Sequence, residues 1–200
     1  MGKWNILCDF DGTIAIEDAT DALLDASREE IDSQLAGLRI DPAFPAFADA
    51  VMAAGLTLSV ISDGLDYAIK SILDRHGLHG LPVQANRLVQ VGERSWKLET
   101  PFADANCRVK SGHCKCVSAV RAHNKHRRVL LIGDGASDFC AASEADFVFA
   151  KHRLIEHCRH ADIPHVSIVG FADAIGLLPA LLAGKLHTSQ RVLVPETAAH

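Results

Sequence analysis

The chain has 200 residues, 48% of them hydrophobic, and a formal net charge of −5 at pH 7. This length suits one compact domain with a small insertion. The acidic balance gives no basis for attraction to nucleic acid or to anionic membrane surfaces, so an anionic substrate would need a local positive site. No uninterrupted apolar run reaches the roughly 18 residues of a membrane-spanning helix.

The N-terminal residues run directly into a predicted strand, which leaves no room for a signal peptide. The six cysteines are therefore expected to be reduced thiols, and the cytoplasm is the expected location. Neither nucleic acid nor a membrane is expected as a partner.

Short apolar runs alternate with helical patterns along the chain. The runs predict strands at 4–8, 57–61, 128–132, 147–150 and 166–169. The helical patterns predict helices at 43–54, 66–76, 115–126, 137–144, 152–161 and 171–183. Alternation of this kind predicts an α/β fold with a mostly parallel sheet, in which ligands bind beyond the carboxyl ends of the strands.

Two segments interrupt this alternation. Residues 15–41 are polar, rich in Asp and Glu, and predict a helical insertion after the first strand. Residues 83–100 hold two extended stretches around Gly92-Glu93-Arg94, which predicts a β-hairpin. The predicted organisation is a core domain of residues 1–14 and 42–187, a short helical cap at 15–41, and a loosely held tail at 188–200.

The first predicted strand ends in Asp9-Phe10-Asp11-Gly12-Thr13-Ile14. Asp9 is a candidate nucleophile toward phosphorus, while Asp11 is a candidate to protonate the leaving oxygen and later deprotonate water. Gly12 permits a tight turn whose backbone N–H groups can approach a phosphate. A lone Asp-x-Asp pair is more often a solvated turn, but the whole hexapeptide after an apolar strand favours the catalytic interpretation.

Ser62 and Asp63 follow the second predicted strand. The Ser62 hydroxyl and the Asp63 N–H are candidate donors to a phosphoryl oxygen. Lys115 opens a predicted helix, where its charge would add to N–H groups that already favour anions. Lys110, in the preceding loop, is the competing cation. The alternatives are that Ser62 is a turn residue and Lys115 a surface lysine.

Gly133-Asp134-Gly135-Ala136-Ser137-Asp138 follows the strand predicted at 128–132. Free carboxylates at Asp9 and Asp11 would repel a phosphate, so a divalent cation is needed. Asp134 would complete an oxygen-rich site suited to Mg²⁺. Asp138 could bind the metal through water, orient Lys115, or cap the next helix.

Cys107, His113, Cys114 and Cys116 cluster just before Lys115. Four thiol or imidazole ligands would suit zinc, although the spacing Cys-x5-His-Cys-x-Cys lacks a Cys-x-x-Cys pair. The alternative is a set of reduced thiols in a loop, and the sequence leaves both open.

Taken in order, these motifs resemble those of the haloacid dehalogenase superfamily of phosphohydrolases, in particular its phosphoserine-phosphatase-like branch. The resemblance extends over roughly residues 4–170. It implies a Rossmann-like three-layer sandwich with a helical cap. It also implies a magnesium-dependent phosphatase that hydrolyses a small phosphorylated metabolite through an aspartyl-phosphate intermediate.

The same resemblance implies a role for each motif residue. Asp9 would be the nucleophile and a metal ligand, and Asp11 would be the general acid and base. The backbone carbonyl of Asp11 would also bind Mg²⁺, as would Asp134, and Asp138 would support the metal shell. The implied phosphate-binding residues are Ser62, Asp63 and Lys115.

The segment available for a cap, residues 15–41, is shorter than the helical bundle usual in this branch. The resemblance then implies an open site or one covered by a partner subunit, so a homodimer is an expected arrangement. Glu17 and Asp18 lie close to the first motif in sequence and are candidates to contact a substrate amine.

Three other functions are compatible with the same scaffold. One is phosphotransfer to an acceptor other than water, as in a mutase, although a short cap is poorly suited to exclude water. Another is a non-catalytic phosphate-binding module. Halide displacement from a haloacid is the third, and the presence of both Asp11 and Asp134 argues against it.

Overall fold

The computed structural model of the chain describes residues 4–16, 26–107, 111–123 and 128–186. Within these ranges, seven strands form one sheet in the order β4-β3-β2-β1-β5-β6-β7. The strands are β1 (Trp4–Cys8), β2 (Thr57–Leu65), β3 (Val83–Gly92), β4 (Ser95–Glu99), β5 (Arg128–Gly133), β6 (Phe147–Ala150) and β7 (His165–Ser167). Neighbouring strands are parallel except β3 and β4, which form an antiparallel hairpin.

Helices cover both faces of this sheet. They are α1 (Arg28–Leu35), α2 (Phe44–Ala53), α3 (Asp66–Arg75), α4 (Lys115–His123), α5 (Phe139–Ala142), α6 (His152–His160) and α7 (Phe171–Leu182). On one face α2, α3 and α7 pack into a core with Ile6, and on the other α4, α5 and α6 pack into a core with Leu7. The predicted α/β, Rossmann-like three-layer fold with a mostly parallel sheet is therefore confirmed.

The double cover explains why the central strands are apolar without interruption. Every residue of β1 and of β6 is buried, as expected when both faces of a parallel strand contact helices. The hairpin strand β4 lies at the sheet edge and is mostly exposed, which fits its mixed composition. Among the described residues, no helix has the length and apolar character needed to cross a membrane.

The observed elements differ from the predicted ones mainly at their ends. Strand β2 continues to Leu65, beyond the predicted end at residue 61, and its pairing with β3 is irregular between Ile61 and Leu65. The helix predicted at 137–144 is shorter, because residues 136–138 form a tight turn before α5. Strand β7 likewise ends at Ser167, not at residue 169. Residues 124–126 of a predicted helix lie outside the described ranges.

The two ends of the insertion after β1 lie side by side on the core. Ala15 and Ile40 form an antiparallel bridge, and the Asp41 N–H donates to the Ile14 carbonyl at 2.8 Å. In this predicted helical insertion α1 is observed, and residues 17–25, with Glu17 and Asp18 among them, lie outside the described part of the chain. The predicted tail at 188–200 also lies outside it, and the domain boundaries stay a prediction.

The described part of the insertion contacts the hairpin and α3. The Trp96 indole N–H donates to the Ala26 carbonyl at 2.8 Å, and Arg94 forms an ion pair with Glu30 at 2.8 Å. The Arg28 guanidinium lies over the Tyr67 ring at 5.0 Å from its centroid. Helix α1 and the residues just before it are thus held against the hairpin of β3 and β4 and against α3.

Candidate active site

The sheet order brings the sequence motifs to one edge. Strands β2, β1 and β5 are direct neighbours, and all three are parallel, so their carboxyl ends lie side by side. Asp9 follows β1 and Asp134 follows β5, while Ser62 lies in the last part of β2. The Asp9 N–H donates to the Ile132 carbonyl at 2.9 Å, which anchors the first motif to the neighbouring strand.

The first motif forms a wide turn over Phe10–Ile14, closed by the Ala15 N–H donating to the Phe10 carbonyl at 2.8 Å. Gly12 has a φ of 69°, in the left-handed region that favours glycine. A Cβ atom at this position would lie 2.5 Å from Oδ2 of Asp134. Glycine is therefore required both by the backbone conformation and by the close approach of the Asp134 carboxylate.

A buried ion network links Asp9, Lys115 and Asp138. The Lys115 Nζ lies 2.7 Å from Oδ1 of Asp9 and 2.8 Å from Oδ1 of Asp138, and it donates to the Ser137 hydroxyl at 2.9 Å. The Lys115 side chain is only 1% exposed. Burial by itself lowers the pKa of Lys115, but the charges of Asp138 and Asp9 outweigh burial and raise that pKa well above its ordinary value.

Burial and mutual repulsion raise the pKa values of two carboxylates of the site. Burial and the charge of Asp138 raise the pKa of Asp9, against the opposing effects of Lys115 and of the Phe10 N–H. Burial and Asp138 also raise the pKa of Asp134. An additional cation beside these groups would stabilise their ionised forms.

Asp9, Asp134 and Asp138 each offer an oxygen, and the three oxygens lie within 4.8 Å of one another. Hard oxygen donors at this spacing suit a cation such as Mg²⁺. Asp138 is already engaged, because its Oδ2 accepts the N–H groups of Asp134 at 3.0 Å and Gly135 at 3.2 Å while its Oδ1 binds Lys115. Asp9 and Asp134 are therefore better suited than Asp138 to bind a metal directly.

Ser62 lies in the last part of β2, beside the first motif. Its hydroxyl accepts the Gly64 N–H at 2.9 Å and donates to Oδ2 of Asp11 at 3.3 Å. The Asp63 carboxylate turns to the other side, where its Oδ1 accepts the His113 N–H at 3.0 Å. The structure thus brings Ser62 to the Asp11 carboxylate, while the Asp63 side chain secures the loop that leads to α4.

His113 is a buried residue whose place in the site the sequence did not reveal. Its Nδ1 lies 2.9 Å from the Gln84 carbonyl and 3.2 Å from the Ser62 carbonyl, and its Nε2 lies 2.8 Å from the Ser118 hydroxyl. Burial lowers the pKa of His113, which favours the neutral ring. Both ring nitrogens are engaged, so His113 supports the strand end that carries Ser62.

This position of His113 argues against the zinc alternative. The Sγ atoms of Cys114 and Cys116 lie 3.2 Å apart, and burial raises the pKa of Cys114 to about 12. All six cysteines are described, and none forms a disulfide. Among the described residues, the group of three or more ligand side chains at metal-ligand spacing consists of aspartates. The competing Lys110 lies outside the described ranges.

Lys151 is a second residue near the motifs that the sequence did not single out as functional. It directly follows β6 and is buried, and its Nζ donates to the carbonyl oxygens of Gly12 at 3.0 Å and Thr13 at 3.2 Å. Thr13 in turn donates from its hydroxyl to Oδ1 of Asp134 at 3.2 Å. The signal in the sequence was the position of Lys151 directly after an apolar strand, the same position that Asp9 and Asp134 have after theirs.

A separate groove of about 1020 Å³ opens near the amino ends of β1 and β2. Asn5 and Thr57 line it, together with Arg121 of α4. None of the motif residues contributes to its walls, so the groove is distinct from the site at the carboxyl edge.

No family model matches the chain. Over 92% of its length the chain is 25% identical to polyol phosphate phosphatase PYP1 of Saccharomyces cerevisiae, covering 96% of that protein. It is 26% identical to the 2-hydroxy-3-keto-5-methylthiopentenyl-1-phosphate phosphatase of Brevibacillus brevis, with 88% of this chain and 95% of that one covered. Similarity to the latter enzyme is also expected from Val60–Asp66, from the hairpin and from the cysteine-rich approach to Lys115. The stretch Phe149-Ala150-Lys151, followed by a helix that contains Cys158, fits the same similarity.

Solved structures show the same fold at lower identity. A phosphoserine phosphatase in its apo form has a TM-score of 0.67 at 15% identity, with 87% of this chain and 98% of that chain covered. A phosphoserine phosphatase carrying a phospho-aspartyl intermediate analogue has a TM-score of 0.66 at 17% identity, with 88% and 99% covered. The relatives named above are phosphatases, and the solved phosphoserine phosphatases share the fold of this chain, so the resemblance predicted from the motifs is confirmed.

Proposed function

We propose that the chain is a magnesium-dependent phosphomonoester hydrolase that acts through an aspartyl phosphate on Asp9. The observation that carries this proposal is the position of the Asp9 carboxylate, bound by the Lys115 ammonium at 2.7 Å and adjacent to Asp134 at the carboxyl edge of the sheet. In this proposal the nucleophile, the cation and a metal ligand come from three separate parts of the chain.

In this proposal one oxygen of Asp9 attacks the phosphorus atom. Oδ1 accepts the Phe10 N–H at 2.8 Å and binds Lys115. Asp9 has two carboxylate oxygens, so one can attack while the other stays bound to the cations of the site. The new oxygen–phosphorus bond forms as the ester oxygen leaves, and the charge of Lys115 stabilises the transferring phosphoryl group.

Asp11 is the proposed general acid and base. Its Oδ2 accepts the Ser62 hydroxyl at 3.3 Å, which places the carboxyl group beside a proposed phosphate-binding residue. As an acid, Asp11 would give a proton to the leaving alkoxide. As a base, it would then take a proton from the water that hydrolyses the aspartyl phosphate, which releases inorganic phosphate and restores Asp9. Ser62 and the Asp63 N–H would bind phosphoryl oxygens.

The proposed magnesium ligands are carboxylate oxygens of Asp9 and Asp134 with the backbone carbonyl of Asp11. Bound there, Mg²⁺ would neutralise charge on the carboxylates and on the phosphate. Asp138 would support this shell indirectly, because its oxygens accept hydrogen bonds from Lys115 and from the loop that carries Asp134. The oxygen-only donor set fits a hard divalent cation.

The proposed substrate is a small phosphorylated metabolite. The two relatives named above act, by their names, on a polyol phosphate and on 2-hydroxy-3-keto-5-methylthiopentenyl-1-phosphate, and both substrate types are candidates here. The cytoplasmic location and the homodimer expected from the sequence stay predictions.

The direct test is hydrolysis of p-nitrophenyl phosphate in the presence of Mg²⁺ by the wild type and by Asp9→Asn. We expect the variant to lose activity by a factor of at least about 10³, because amide nitrogen and oxygen are poor nucleophiles toward phosphorus. Asp49→Asn, at an exposed aspartate of α2, is the matched control and should retain full activity. Equal activity in wild type and Asp9→Asn would refute the mechanism.

A further inference from the structure

Lys151 is buried, with 8% of its surface exposed, and its ammonium contacts two backbone carbonyls. Within the ranges that the structure describes, no carboxylate forms an ion pair with it. Burying an ammonium without a counter-charge at hand is costly, and a well-packed apolar side chain of similar volume would cost less. Packing alone therefore does not account for a lysine at this position.

The two carbonyls belong to the turn that carries the first motif. Asp11 and Gly12 have non-helical backbone angles, so the carbonyls of this turn lack the regular hydrogen bonds of a helix. Nζ of Lys151 binds the Gly12 and Thr13 carbonyls at 3.0 and 3.2 Å. The side chain thus holds the stretch of backbone that directly follows Asp11.

The backbone at Lys151 forms hydrogen bonds with the loop that carries Asp134, the second proposed metal ligand. The Lys151 N–H donates to the Gly133 carbonyl at 2.9 Å, and the Leu154 N–H donates to the Asp134 carbonyl at 2.9 Å. His152, between them, has a φ of 42°, a left-handed conformation that is uncommon for residues other than glycine. One short segment therefore contacts the Asp134 loop through its backbone and the first motif through the Lys151 side chain.

The charges of the site fit the same interpretation. The aspartates of the site carry four negative charges when all are ionised; they are Asp9, Asp11, Asp134 and Asp138. Lys115 and Lys151 supply two positive charges, which leaves a charge of −2 for one divalent cation to neutralise. Lys151 contributes to this balance from behind the turn, where it does not compete with a substrate for the carboxylates.

We propose that Lys151 is a positioning residue, which sets the separation of Asp9 and Asp134 for binding one divalent cation and the phosphoryl group. This inference rests on the function proposed above. It assigns to Lys151 no contact with the substrate, so its removal is expected to affect kcat and metal affinity more than KM.

The test compares Lys151→Met, which keeps the length of the side chain without its charge, with Lys151→Arg. Arg153→Met, at the exposed residue two positions later, is the matched control. For each protein, kcat and KM for p-nitrophenyl phosphate, Mg²⁺ affinity by isothermal titration calorimetry and the thermal unfolding temperature without Mg²⁺ are measured.

We expect Lys151→Met to fold and to lose about 10- to 100-fold in both kcat and Mg²⁺ affinity, the range seen when groups behind metal ligands are removed. KM should change by less than about 3-fold, since Lys151 touches no substrate. Lys151→Arg keeps the charge but has a wider donor group, so it should recover part of the Mg²⁺ affinity. Arg153→Met should match the wild type.

A Lys151→Met protein that folds with wild-type kcat and Mg²⁺ affinity would overturn the proposal. Should Lys151→Met fail to fold, Lys151→Arg decides: a reduced kcat at an unchanged unfolding temperature supports positioning, and wild-type kcat and affinity overturn it. A wild type that binds Mg²⁺ but hydrolyses no ester would refute the proposed function, while the comparison of Mg²⁺ affinities would still test Lys151.

Discussion

The Lys115 ammonium and the Asp9 carboxylate are in direct contact at 2.7 Å, and both side chains are almost completely buried. In such an environment a charge left without its partner is far more costly than on the surface. Lys115 also contacts Asp138, so one cation neutralises two carboxylates from different loops. The contact therefore matters for the stability of the site as well as for its proposed chemistry.

Replacing Lys115 by Met should destabilise the fold, because it leaves Asp9 and Asp138 buried without their counter-charge. The expected loss is about 3 kcal/mol in the free energy of unfolding, measured by urea denaturation without Mg²⁺. Mg²⁺ should restore part of this loss in Lys115→Met. Lys70→Met, at a half-exposed lysine paired with Asp66, is the control and should change stability by less than about 1 kcal/mol. Equal stability of Lys115→Met and Lys70→Met would contradict the account.

Replacing Gly12 by Ala should affect both stability and metal binding. The residue has a φ of 69°, and the added Cβ would lie 2.5 Å from Oδ2 of Asp134. Strain at positive φ should lower the free energy of unfolding by about 1 kcal/mol. Displacement of Asp134 should in addition weaken Mg²⁺ binding, which calorimetry measures.

Gly55 offers a matched control for this substitution. Its φ is 68°, but a Cβ there would meet no atom within 4 Å. Gly55→Ala should therefore show the loss of stability from backbone strain with unchanged Mg²⁺ affinity. If Gly12→Ala binds Mg²⁺ as tightly as Gly55→Ala, the Asp134 carboxylate is not positioned by this close approach.

The stability of the metal-free protein and the additional stabilisation provided by Mg²⁺ should depend on pH in opposite ways. The pKa values of Asp9 and Asp134 are raised in the fold, so between the unfolded pKa of about 4 and the raised native values the native state binds more protons than the unfolded state. Stability without metal should therefore fall as pH rises above about 4. Mg²⁺ binds the ionised carboxylates, so the stabilisation that it provides should grow over the same interval.

Thermal unfolding at pH 5 and pH 7.5, with and without Mg²⁺, measures this effect. The increase in unfolding temperature caused by Mg²⁺ should be larger at pH 7.5. The raised pKa of Lys115 does not alter this comparison, because the stability it contributes is lost only as pH rises above the ordinary lysine value of about 10.4. The same increase at both pH values would show that these carboxylates do not bind the ion.

The sequence was sufficient to predict the strands and the convergence of their ends. Apolar runs ending in Asp9 and in Asp134 predict parallel buried strands, and both residues lie at the expected edge. Less was predictable for Asp138, for which metal binding, orientation of Lys115 and helix capping were all open. The structure favours orientation, because Asp138 contacts Lys115 at 2.8 Å and accepts the N–H groups of its own loop.

The contacts between side chains that lie far apart in the chain could not be predicted from the sequence. The position of Lys151 directly after an apolar strand run is a signal in the sequence, but it does not indicate that the side chain contacts Gly12, 139 positions away. His113 stands beside cysteines in the sequence, which suggested a zinc ligand, whereas its ring turns toward the carbonyls of Ser62 and Gln84. In both residues the side-chain direction depends on tertiary packing that local patterns do not encode.

The central claim is that Asp9 becomes phosphorylated during turnover, and chemical trapping tests it most directly. The wild type is mixed with a hydrolysable phosphate ester and Mg²⁺, quenched in acid and reduced with borohydride, and the peptide that contains Asp9 is analysed by mass spectrometry. Reduction of an aspartyl phosphate yields an alcohol in place of the carboxylate. The account predicts that this product forms at Asp9, and only when substrate is present. An enzyme that hydrolyses the ester and yields the product at another aspartate would contradict it.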